Sequence, residues 1–275
     1  GVINMGIEGI MLFGALVGIA AGFYMNSLVL AVLFTIVIGA FLGLIVAFLT
    51  VSRRTNQVVT GLMVNMISLG ATDALFSLMS ETRQNRVATF PTLFPTSMQN
   101  IPFIGPLLFA QPVSTWVALI LPFIAGYILY KTRWGLNVRA VGDNPKAAAT
   151  AGLSVIKLKY QTVILSGVFA ALGGCVLTLG EVGYFSAGGM AAGRGFIVMA
   201  ACVVGGWDPI RTALVCLIFG AADAAQLRFQ TTGSVIPYQF LQMLPYVATI
   251  VALTIMVKRS VVPKTWGAAY DPKDV

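Results

Sequence analysis

Long apolar runs separated by short polar stretches recur along the whole sequence, and this pattern limits the fold more than any other feature. Each run is long enough, alone or with tilt, to cross a bilayer core, which takes about 20 apolar residues as a helix. A membrane β-barrel would instead show short alternating segments of about ten residues. The pattern predicts an all-α, polytopic integral membrane helical bundle forming one transmembrane domain over 1–275. The predicted segments, about eight, are residues 10–25, 28–50, 58–79, 114–130, 161–180, 196–207, 210–226 and 240–257.

The composition is typical of a membrane protein and contains few residues of the types that catalyse reactions. The chain is 58% hydrophobic and 9% charged, with a mean hydropathy of +0.90, whereas a soluble domain carries about a quarter charged residues. It has no histidine, which removes the commonest catalytic base and metal ligand. Cys175, Cys202 and Cys216 are scattered within apolar runs and are expected to be packing residues. We predict no catalytic residue, no metal site and no cofactor in this chain.

The basic residues predict the orientation of the chain in the membrane. The net charge of +8 lies in connecting segments, which favours the positive-inside rule over nucleic-acid binding. If residues 51–57 are cytoplasmic, alternation puts 131–160, 208–211 and a C-terminal tail over 258–275 on the same side. Thirteen of the 17 Lys and Arg then lie inside and four outside. This predicts a multi-pass protein of the inner or plasma membrane, with an unstructured cytoplasmic tail and an extracytoplasmic loop over 80–113.

Glycines at regular spacing predict close contacts between helices. Gly14, Gly18 and Gly22 recur every fourth residue, and Gly39 and Gly43 repeat the spacing. Small residues at this interval let helix backbones approach closely in lipid, although glycine is also frequent in membrane helices without such a role.

Two further glycine-rich stretches, GVINMGIEG at 1–9 and GGMAAGRG at 188–195, are expected to break helices at membrane depth. Irregular backbone is tolerated there where it lines a cavity, as in the broken helices of transporters. The alternative is a flexible loop at the membrane interface. The predicted segment 196–207 is short and bounded by glycine, so it is expected to be a half-helix or a re-entrant element.

Polar side chains at membrane depth are candidates for a substrate path. A charge near the bilayer centre is costly, so such residues face a cavity or a partner. Asn65 and Asp73 stand two turns apart on one predicted helix face. The alternative is a structural role, such as an Asp–Arg pair or a hydrogen bond between helices. The candidate path residues are Asn4, Glu8, Asn65, Asp73, Glu181, Arg194, Asp223 and Gln226.

Residues 139–159 form a polar, basic, Ala/Gly-rich loop longer than two membrane helices need as a turn. Asn144 can cap a helix, Pro145 fits its first position, and Gly152 is placed to end it. The stretch therefore predicts a short helix that a second protein could grip. The alternative is a passive connecting loop.

The stretch RAVGDNPKAAATAGLSV resembles the coupling loop of permease subunits of ABC importers, in the superfamily of ribose-type and branched-chain amino acid permeases. Other stretches resemble its nucleoside (simple sugar) group, in particular the shorter second permease: GVINMGIEGIMLFGA, QVVTGLMVNMIS, LSGVFAALGG, GRGFIVMAACVVGGWDP and LIFGAADAAQ. The resemblance departs at Gly188–Met190 and at the start, where the family has one more helix. Because the sequence begins with Gly1, we expect an upstream segment.

The resemblance implies that the short helix docks on a cytoplasmic ABC ATPase, which binds ATP and Mg. It also implies a second permease subunit in a heterodimer and an extracytoplasmic substrate-binding lipoprotein. The implied coupling residues are Arg139, Gly142, Asp143, Asn144, Pro145, Ala147, Ala148 and Gly152.

The sequence contains no G-x-x-x-x-G-K-[ST] motif, so energy is expected to arrive from a partner. The leading hypothesis is a permease subunit of an ATP-driven importer for nucleosides or related simple sugars. The main alternative is an ion-gradient-driven secondary transporter or a channel for a small polar solute. An intramembrane enzyme would need a paired nucleophile and base, which the sequence does not supply.

Overall fold

The computed structural model describes residues 1–79, 86–95 and 109–231, and also positions 243, 247, 250, 254, 265–268 and 270. Throughout these residues the regular structure is helical, apart from one isolated β-bridge between Thr92 and Pro112. The prediction of an all-α helical membrane bundle is confirmed.

The described helices follow one another along the chain and differ widely in the length of their connections. They are α1 (Ile7–Met25), α2 (Leu28–Ala47), α3 (Gln57–Leu78), α4 (Val113–Lys131), α5 (Arg133–Asp143), α6 (Pro145–Thr150), α7 (Val155–Cys175), α8 (Arg194–Val204) and α9 (Pro209–Thr231). Two of them continue without interruption into π-helical turns that the sequence pattern did not predict: α2 into Phe48–Ser52 and α7 into Val176–Val182.

Six helical stretches among the described residues are long and apolar enough to cross a membrane. They are Ile7–Met25, Leu28–Ser52, Gln57–Leu78, Val113–Lys131, Val155–Gly180 and Pro209–Phe229. These correspond to six of the predicted segments. The predicted segment 196–207 is α8, with 11 residues, so its shortness is confirmed. The predicted segment 240–257 lies outside the described residues, except for four isolated positions.

Glycines bring α1, α2 and α7 into backbone contact. A Cβ atom added at Gly14 would collide with the backbone of Ala171, and one added at Gly18 would lie 2.8 Å from the Sγ of Cys175. On α2, a Cβ at Gly39 would lie 2.8 Å from the carbonyl oxygen of Gly167. Only a residue without a side chain allows such approach, so the predicted close packing is confirmed.

The other two glycines of the predicted pattern have different neighbours. A Cβ at Gly43 would lie 3.0 Å from the Cα of Ile164 on α7, which extends the α2–α7 contact by one turn. A Cβ at Gly22 would lie 3.1 Å from the Val87 side chain, so this glycine makes room for a loop.

Buried hydroxyl groups inside the bundle are satisfied by the helix backbone. Thr35 and Thr72 are fully buried, and their hydroxyls donate to the carbonyls of Ala31 and Ser68 at 2.8 and 2.7 Å. Thr178 is likewise buried and donates to the Ala15 carbonyl at 3.2 Å, which links the end of the α7 stretch to α1. Such bonds remove the cost of burying a polar group.

Part of the predicted loop 80–113 packs on the end of the α7 stretch. The backbone N–H of Val87 donates to the Gly183 carbonyl at 2.9 Å, and that of Phe90 donates to the Leu179 carbonyl at 2.8 Å. The backbone of this part of the loop is therefore ordered by pairing with a helix end. The remainder of the predicted loop lies outside the described residues.

The chain divides into two compact units. Unit 1 comprises 1–120, 137–192 and 264–275, and unit 2 comprises 121–136 and 193–263. The described residues of the C-terminal tail belong to unit 1 and pack against it, since the Gly267 N–H donates to the Gly1 carbonyl at 2.9 Å. The prediction of an unstructured tail is therefore wrong for 265–268 and 270, because it took polarity and terminal position as sufficient signs of disorder.

Candidate substrate path and coupling surface

The first glycine-rich stretch is a buried, irregular segment that ends where α1 begins at Ile7. Asn4 is 7% exposed, and its side chain holds the segment from within. Its Oδ1 accepts from the Gly6 N–H at 3.1 Å, and its Nδ2 donates to the Ser166 hydroxyl of α7 at 3.0 Å. The Ile3 N–H donates to Oε1 of Gln57 at 2.6 Å. Side chains thus replace the backbone bonds that a helix would make.

Asn65 of α3 binds the same segment through both ends of its amide. Its Oδ1 accepts from the Gly9 N–H at 2.8 Å, and its Nδ2 donates to the Met5 carbonyl at 2.9 Å. A Cβ added at Gly61, one turn earlier on α3, would collide with Met5. Asn65 therefore fixes the segment before α1 and the beginning of α1 against α3.

The second glycine-rich stretch is irregular from residue 183 to 193, and several of its residues are left-handed. Gly183, Gly188, Gly189 and Gly193 have positive φ, as does Ala192 at 47°. Glycine adopts these angles at no steric cost, whereas alanine does so with strain. The expectation that this stretch breaks the helical course is confirmed.

Asp73 of α3 holds this second stretch. Its Oδ1 accepts a hydrogen bond from the Gly188 N–H at 3.0 Å. Asp73 is half-buried, eight positions after Asn65 on the same helix. The predicted pair therefore consists of two anchors, each binding the backbone of one broken segment of unit 1.

Unit 2 contains three of the candidates, Arg194, Asp223 and Gln226. Arg194, the first residue of α8, forms an ion pair with Asp223 of α9, with Nη2 and Oδ2 3.0 Å apart. The two side chains are 35% and 36% exposed. Gln226 is half-buried one turn beyond Asp223. This is the Asp–Arg pairing that the sequence analysis held open as the structural alternative.

The remaining path candidates are two glutamates. Glu8 is half-buried in the first turn of α1, where a carboxylate is favoured by the positive end of the helix dipole. Glu181 lies in the π-helical turn after α7, and its side chain lies outside the description. The structure thus groups Asn4, Glu8, Asn65 and Asp73 in unit 1, and Arg194, Asp223 and Gln226 in unit 2.

Aromatic residues near the second stretch have separate environments. Phe185 is 4% exposed and packs on Phe76 of α3, with ring centroids 4.9 Å apart. It is a core residue rather than a surface for a ligand. Tyr184 and Phe196 are 44% and 45% exposed.

The predicted short helix between the fourth and fifth long spans is α6. Its N-cap is Asn144, whose Oδ1 accepts from the Ala147 N–H at 3.1 Å, and Pro145 occupies the first turn. The helix ends at Thr150 and is followed by a left-handed Gly152 with φ of 83°, while the Leu153 N–H donates back to the Ala148 carbonyl at 3.0 Å. The start and stop signals read from the sequence are confirmed.

The predicted coupling residues divide into an inner and an outer set. The inner set is buried and packs against the protein: Gly142, Pro145 and Ala148. The outer set is exposed: Arg139, Asp143, Asn144, Ala147 and Gly152. We call the exposed residues of α6 and its two flanks the α6 face: Asp143, Asn144, Lys146, Ala147, Thr150 and Gly152.

The prediction that residues 139–159 form a loop is wrong at both ends. Residues up to Asp143 belong to α5, and α7 already begins at Val155. Trp134, Val138 and Val141 recur at helical spacing, a signal that could have identified α5. Lys159, counted among the loop charges, is a buried residue of α7 with 4% exposure.

The turn between α8 and α9, at the end of the stretch GRGFIVMAACVVGGWDP, is a compact cap whose structure the sequence did not predict. Trp207 is left-handed with φ of 63°, and a Cβ at Gly205 would lie 2.6 Å from the Thr212 backbone nitrogen. Asp208 Oδ1 accepts from the N–H groups of Ile210 and Arg211 at 3.1 and 2.9 Å.

Asp208 has a further partner, Tyr130, whose hydroxyl donates to Oδ2 at 2.9 Å. The Arg211 backbone N–H, then the Tyr130 hydroxyl and the Ile210 N–H, lower the pKa of the Asp208 carboxyl below its ordinary value, and partial burial opposes them. Asp208 followed by Pro209 is a sequence pattern typical of a helix start, and it could have predicted the beginning of α9.

These features define a class. The chain is a multi-pass helical membrane protein with two irregular glycine-rich segments bound by side chains of α3, and with a capped, exposed short helix between two spans. The family model for the branched-chain amino acid transport system / permease component matches residues 1–257. The chain belongs to this family of transport permeases.

Individual relatives agree with the family. The chain is 34% identical to the nucleoside ABC transporter permease protein NupC of Lactococcus lactis, over 98% of this chain and 88% of that protein. It is 34% identical to the guanosine ABC transporter permease protein NupQ of Bacillus subtilis, with the same coverage. It is 27% identical to a second guanosine permease of B. subtilis, NupP, over 86% of this chain and 69% of that protein. No solved structure matches the chain.

Proposed function

We propose that this chain is one permease subunit of an ATP-driven ABC importer whose substrates are nucleosides, with related simple sugars as the neighbouring substrate class. Two relatives that are similar along nearly the whole chain are named as permeases for nucleosides and for guanosine. A family match over residues 1–257 supports the same role. In this proposal the chain itself breaks no bond, and ATP hydrolysis takes place in partner subunits.

The observation that carries the proposal is the geometry of α6. A helix of six residues is held at its start by the Asn144 side chain and at its end by Gly152, between two membrane spans. Its inner residues are buried and its outer face carries small or polar side chains. A face of this kind fits a groove on an ATPase, because small side chains allow close approach and nothing on it needs burial to be stable.

The proposed partners follow from this arrangement and from the family. A cytoplasmic ABC ATPase would grip the α6 face, and an extracytoplasmic substrate-binding lipoprotein would deliver the substrate. Two different guanosine permeases of one organism are both similar to this chain, which supports a heterodimer of unlike permeases. In this proposal α6 and the C-terminus are cytoplasmic, as the distribution of Lys and Arg predicts.

The proposed gate lies in the two broken segments anchored on α3. Amide and carboxylate groups suit the hydroxyls and ring nitrogens of a nucleoside, and exposed backbone groups add further donors and acceptors. Asn65 and Asp73 fix these segments in the conformation described, so a movement of α3 displaces both. Asn4, Glu8, Glu181, Arg194, Asp223 and Gln226 are proposed as further path residues. ATP-driven movement of α6 would then change access by rearranging packed helices.

The proposal is tested in proteoliposomes containing the complete transporter. The key variant is Ala147→Glu, which adds bulk and charge to the α6 face, with Ala147→Ser as its matched control. We expect Ala147→Glu to lower ATP-driven guanosine uptake by about tenfold or more, which is within the usual range of coupling energies, and Ala147→Ser to keep it. Equal uptake by both variants would remove α6 from the mechanism.

The same vesicles separate the two hypotheses about energy. ATP supplied on the side of the ATPase should drive guanosine uptake in the absence of any ion gradient. Uptake that follows a sodium or proton gradient without ATP would replace the importer with a secondary transporter. A panel of nucleosides, ribose and glucose as competitors then decides the substrate class.

A further inference from the structure

The C-terminal tail of the chain contacts the helices on both sides of α6: the end of α5 before it and the first turns of α7 after it. On one side, the Thr265 hydroxyl donates to the carbonyl of Gly142 at 2.5 Å, three residues before α6 begins. On the other side, the Tyr270 ring lies under the ammonium group of Lys159 on the first turns of α7, with Nζ 5.5 Å from the ring centroid. Both contacts lie within unit 1.

The same stretch of tail also contacts the irregular segment that precedes α1. The Gly267 N–H donates to the Gly1 carbonyl at 2.9 Å. Gly267 is left-handed with φ of 75°, and a Cβ there would lie 2.9 Å from the Ile3 side chain. Only glycine fits this turn without strain, so the tail at Gly267 packs closely against the segment before α1.

Lys159 is an unusual residue for such a position. It is 4% exposed, and among the described residues no carboxylate forms an ion pair with it. Burying an ammonium group is costly unless it has a compensating partner. The aromatic face of Tyr270 supplies electrostatic attraction, which is stronger away from water. The residues around the two side chains are Val2, Thr50, Val51, Gln57 and Ala268.

The helix between these two fastenings has little packing of its own. Of its six residues, Pro145 and Ala148 are buried, and the others are half-buried or exposed. Its orientation therefore depends on Gly142 before it and on the start of α7 after it. A tail that binds both places, and the entry to α1 as well, sets the position of α6 relative to the first broken segment.

We propose that Lys159 and Tyr270 are positioning residues for energy coupling, and that residues 265–268 and 270 tie α6 to the bundle so that force applied at the α6 face reaches α1 and α7. This inference rests on the proposed function, because it presumes that an ATPase acts on α6. Without the tie, α6 moves with its partner while the bundle does not follow. ATP is then hydrolysed without transport.

The test uses the complete transporter in proteoliposomes and measures the ratio of ATP hydrolysed to guanosine taken up. Tyr270→Leu removes the ring but keeps an apolar side chain, and Lys159→Met removes the charge but keeps the length. Each is expected to raise the ratio by about fivefold or more, the low end of coupling between sites. Tyr270→Phe keeps the aromatic ring and Lys159→Arg keeps the cation. Each is expected to have the same ratio as the unmodified protein.

Two comparisons distinguish a tie from a general loss of stability. The double variant Lys159→Met with Tyr270→Leu should be no worse than either single variant, because both act through one contact. Tyr127→Leu removes a tyrosine that is 67% exposed on α4 and should leave the ratio unchanged. Additive effects of the two single changes, or an equal effect of Tyr127→Leu, would overturn the tie.

The hydroxyl contact gives an independent variant pair. Thr265→Val removes the donor at nearly constant shape and is expected to raise the ratio, whereas Thr265→Ser keeps the donor and should not. If Tyr270→Leu and Thr265→Val leave the ratio unchanged while Ala147→Glu abolishes uptake, the tie is wrong and the proposed function stands. If Ala147→Glu also has no effect, the proposed function itself fails.

Discussion

Asp73 accepts a hydrogen bond at 3.0 Å from the backbone N–H of Gly188, a residue 115 positions further along the chain. Gly188 lies in a left-handed conformation within an irregular stretch, so its N–H cannot be satisfied by a regular helix. Two turns earlier on α3, Asn65 binds the Gly9 N–H and the Met5 carbonyl in the same manner. One helix therefore anchors both broken segments of unit 1.

Replacing Asp73 tests the anchor of the second segment. Asp73→Ala removes the acceptor of the Gly188 N–H at an exposed position and should lower the free energy of unfolding by about 0.5–1.5 kcal/mol, the net contribution of an ordinary hydrogen bond. Asp73→Asn keeps an acceptor oxygen and should lose less. Thermal unfolding of the purified transporter measures both variants. If Asp73→Ala and the unmodified protein have the same stability within error, the hydrogen bond from Gly188 to Asp73 does not stabilise the second segment.

Replacing Asn65 tests the anchor of the first segment. Asn65→Leu has a similar volume but leaves one backbone donor and one acceptor unpaired, each costing about 1–3 kcal/mol when buried. The neighbouring Met66 is 78% exposed, so Met66→Leu is the matched control and should be nearly neutral. Hydrogen exchange at residues 5–9 should rise in Asn65→Leu alone. Unchanged exchange there would contradict the assignment.

Two adjacent glycines of α7 give a sharp packing test. A Cβ at Gly174 would collide with the Met11 carbonyl of α1, whereas one at Gly173 would meet only the end of the Met11 side chain at 3.8 Å. Gly174→Ala should therefore destabilise by about 1–3 kcal/mol or more, as overpacking does. Gly173→Ala should be neutral or stabilising by up to about 1 kcal/mol, because alanine favours helix. Similar melting temperatures for the two variants would refute the α1–α7 contact.

The cap of α9 predicts a pH dependence. The Arg211 N–H, followed by the Tyr130 hydroxyl and the Ile210 N–H, lowers the pKa of Asp208 in the folded protein. A carboxyl with a lowered pKa contributes stability above its unfolded pKa of about 3.9, and this contribution is lost as pH falls through the folded value. Asn caps a helix as well as Asp but does not titrate.

The measurement is the difference in melting temperature between the unmodified protein and Asp208→Asn at a series of acid pH values. The stability advantage of the aspartate should be constant near neutral pH and should shrink as the pH falls below about 4. A difference that stays constant down to the lowest pH would show that this carboxylate is not held by its partners.

Much of this structure follows from local signals in the sequence. Apolar length predicted the spans, and the glycine spacing predicted that α1 and α2 approach other helices closely, because both signals depend on neighbours along one helix. That α7 is the partner was not predicted. Asn144, Pro145 and Gly152 predicted α6 because a helix cap is also a local interaction.

The features that sequence reasoning missed depend on contacts between distant segments. Asn65 and Asp73 were recognised as an unusual pair, but their partners lie 56 and 115 residues away and carry no side-chain signal. Lys159 was counted as a loop charge because no local pattern shows that Tyr270 covers it. The tail was predicted to be unstructured for the same reason.

The most direct test of the account is the side of the membrane on which α6 lies and what touches it there. In a chain whose three cysteines are replaced by alanine, Thr150→Cys puts one thiol on the exposed face of α6. We predict that an impermeant maleimide labels it in inside-out vesicles but not in intact cells, and that a short cross-linker joins it to the ATP-hydrolysing subunit. Labelling from the outside of intact cells, or ATP-driven uptake with no cross-link to that subunit, would contradict the account.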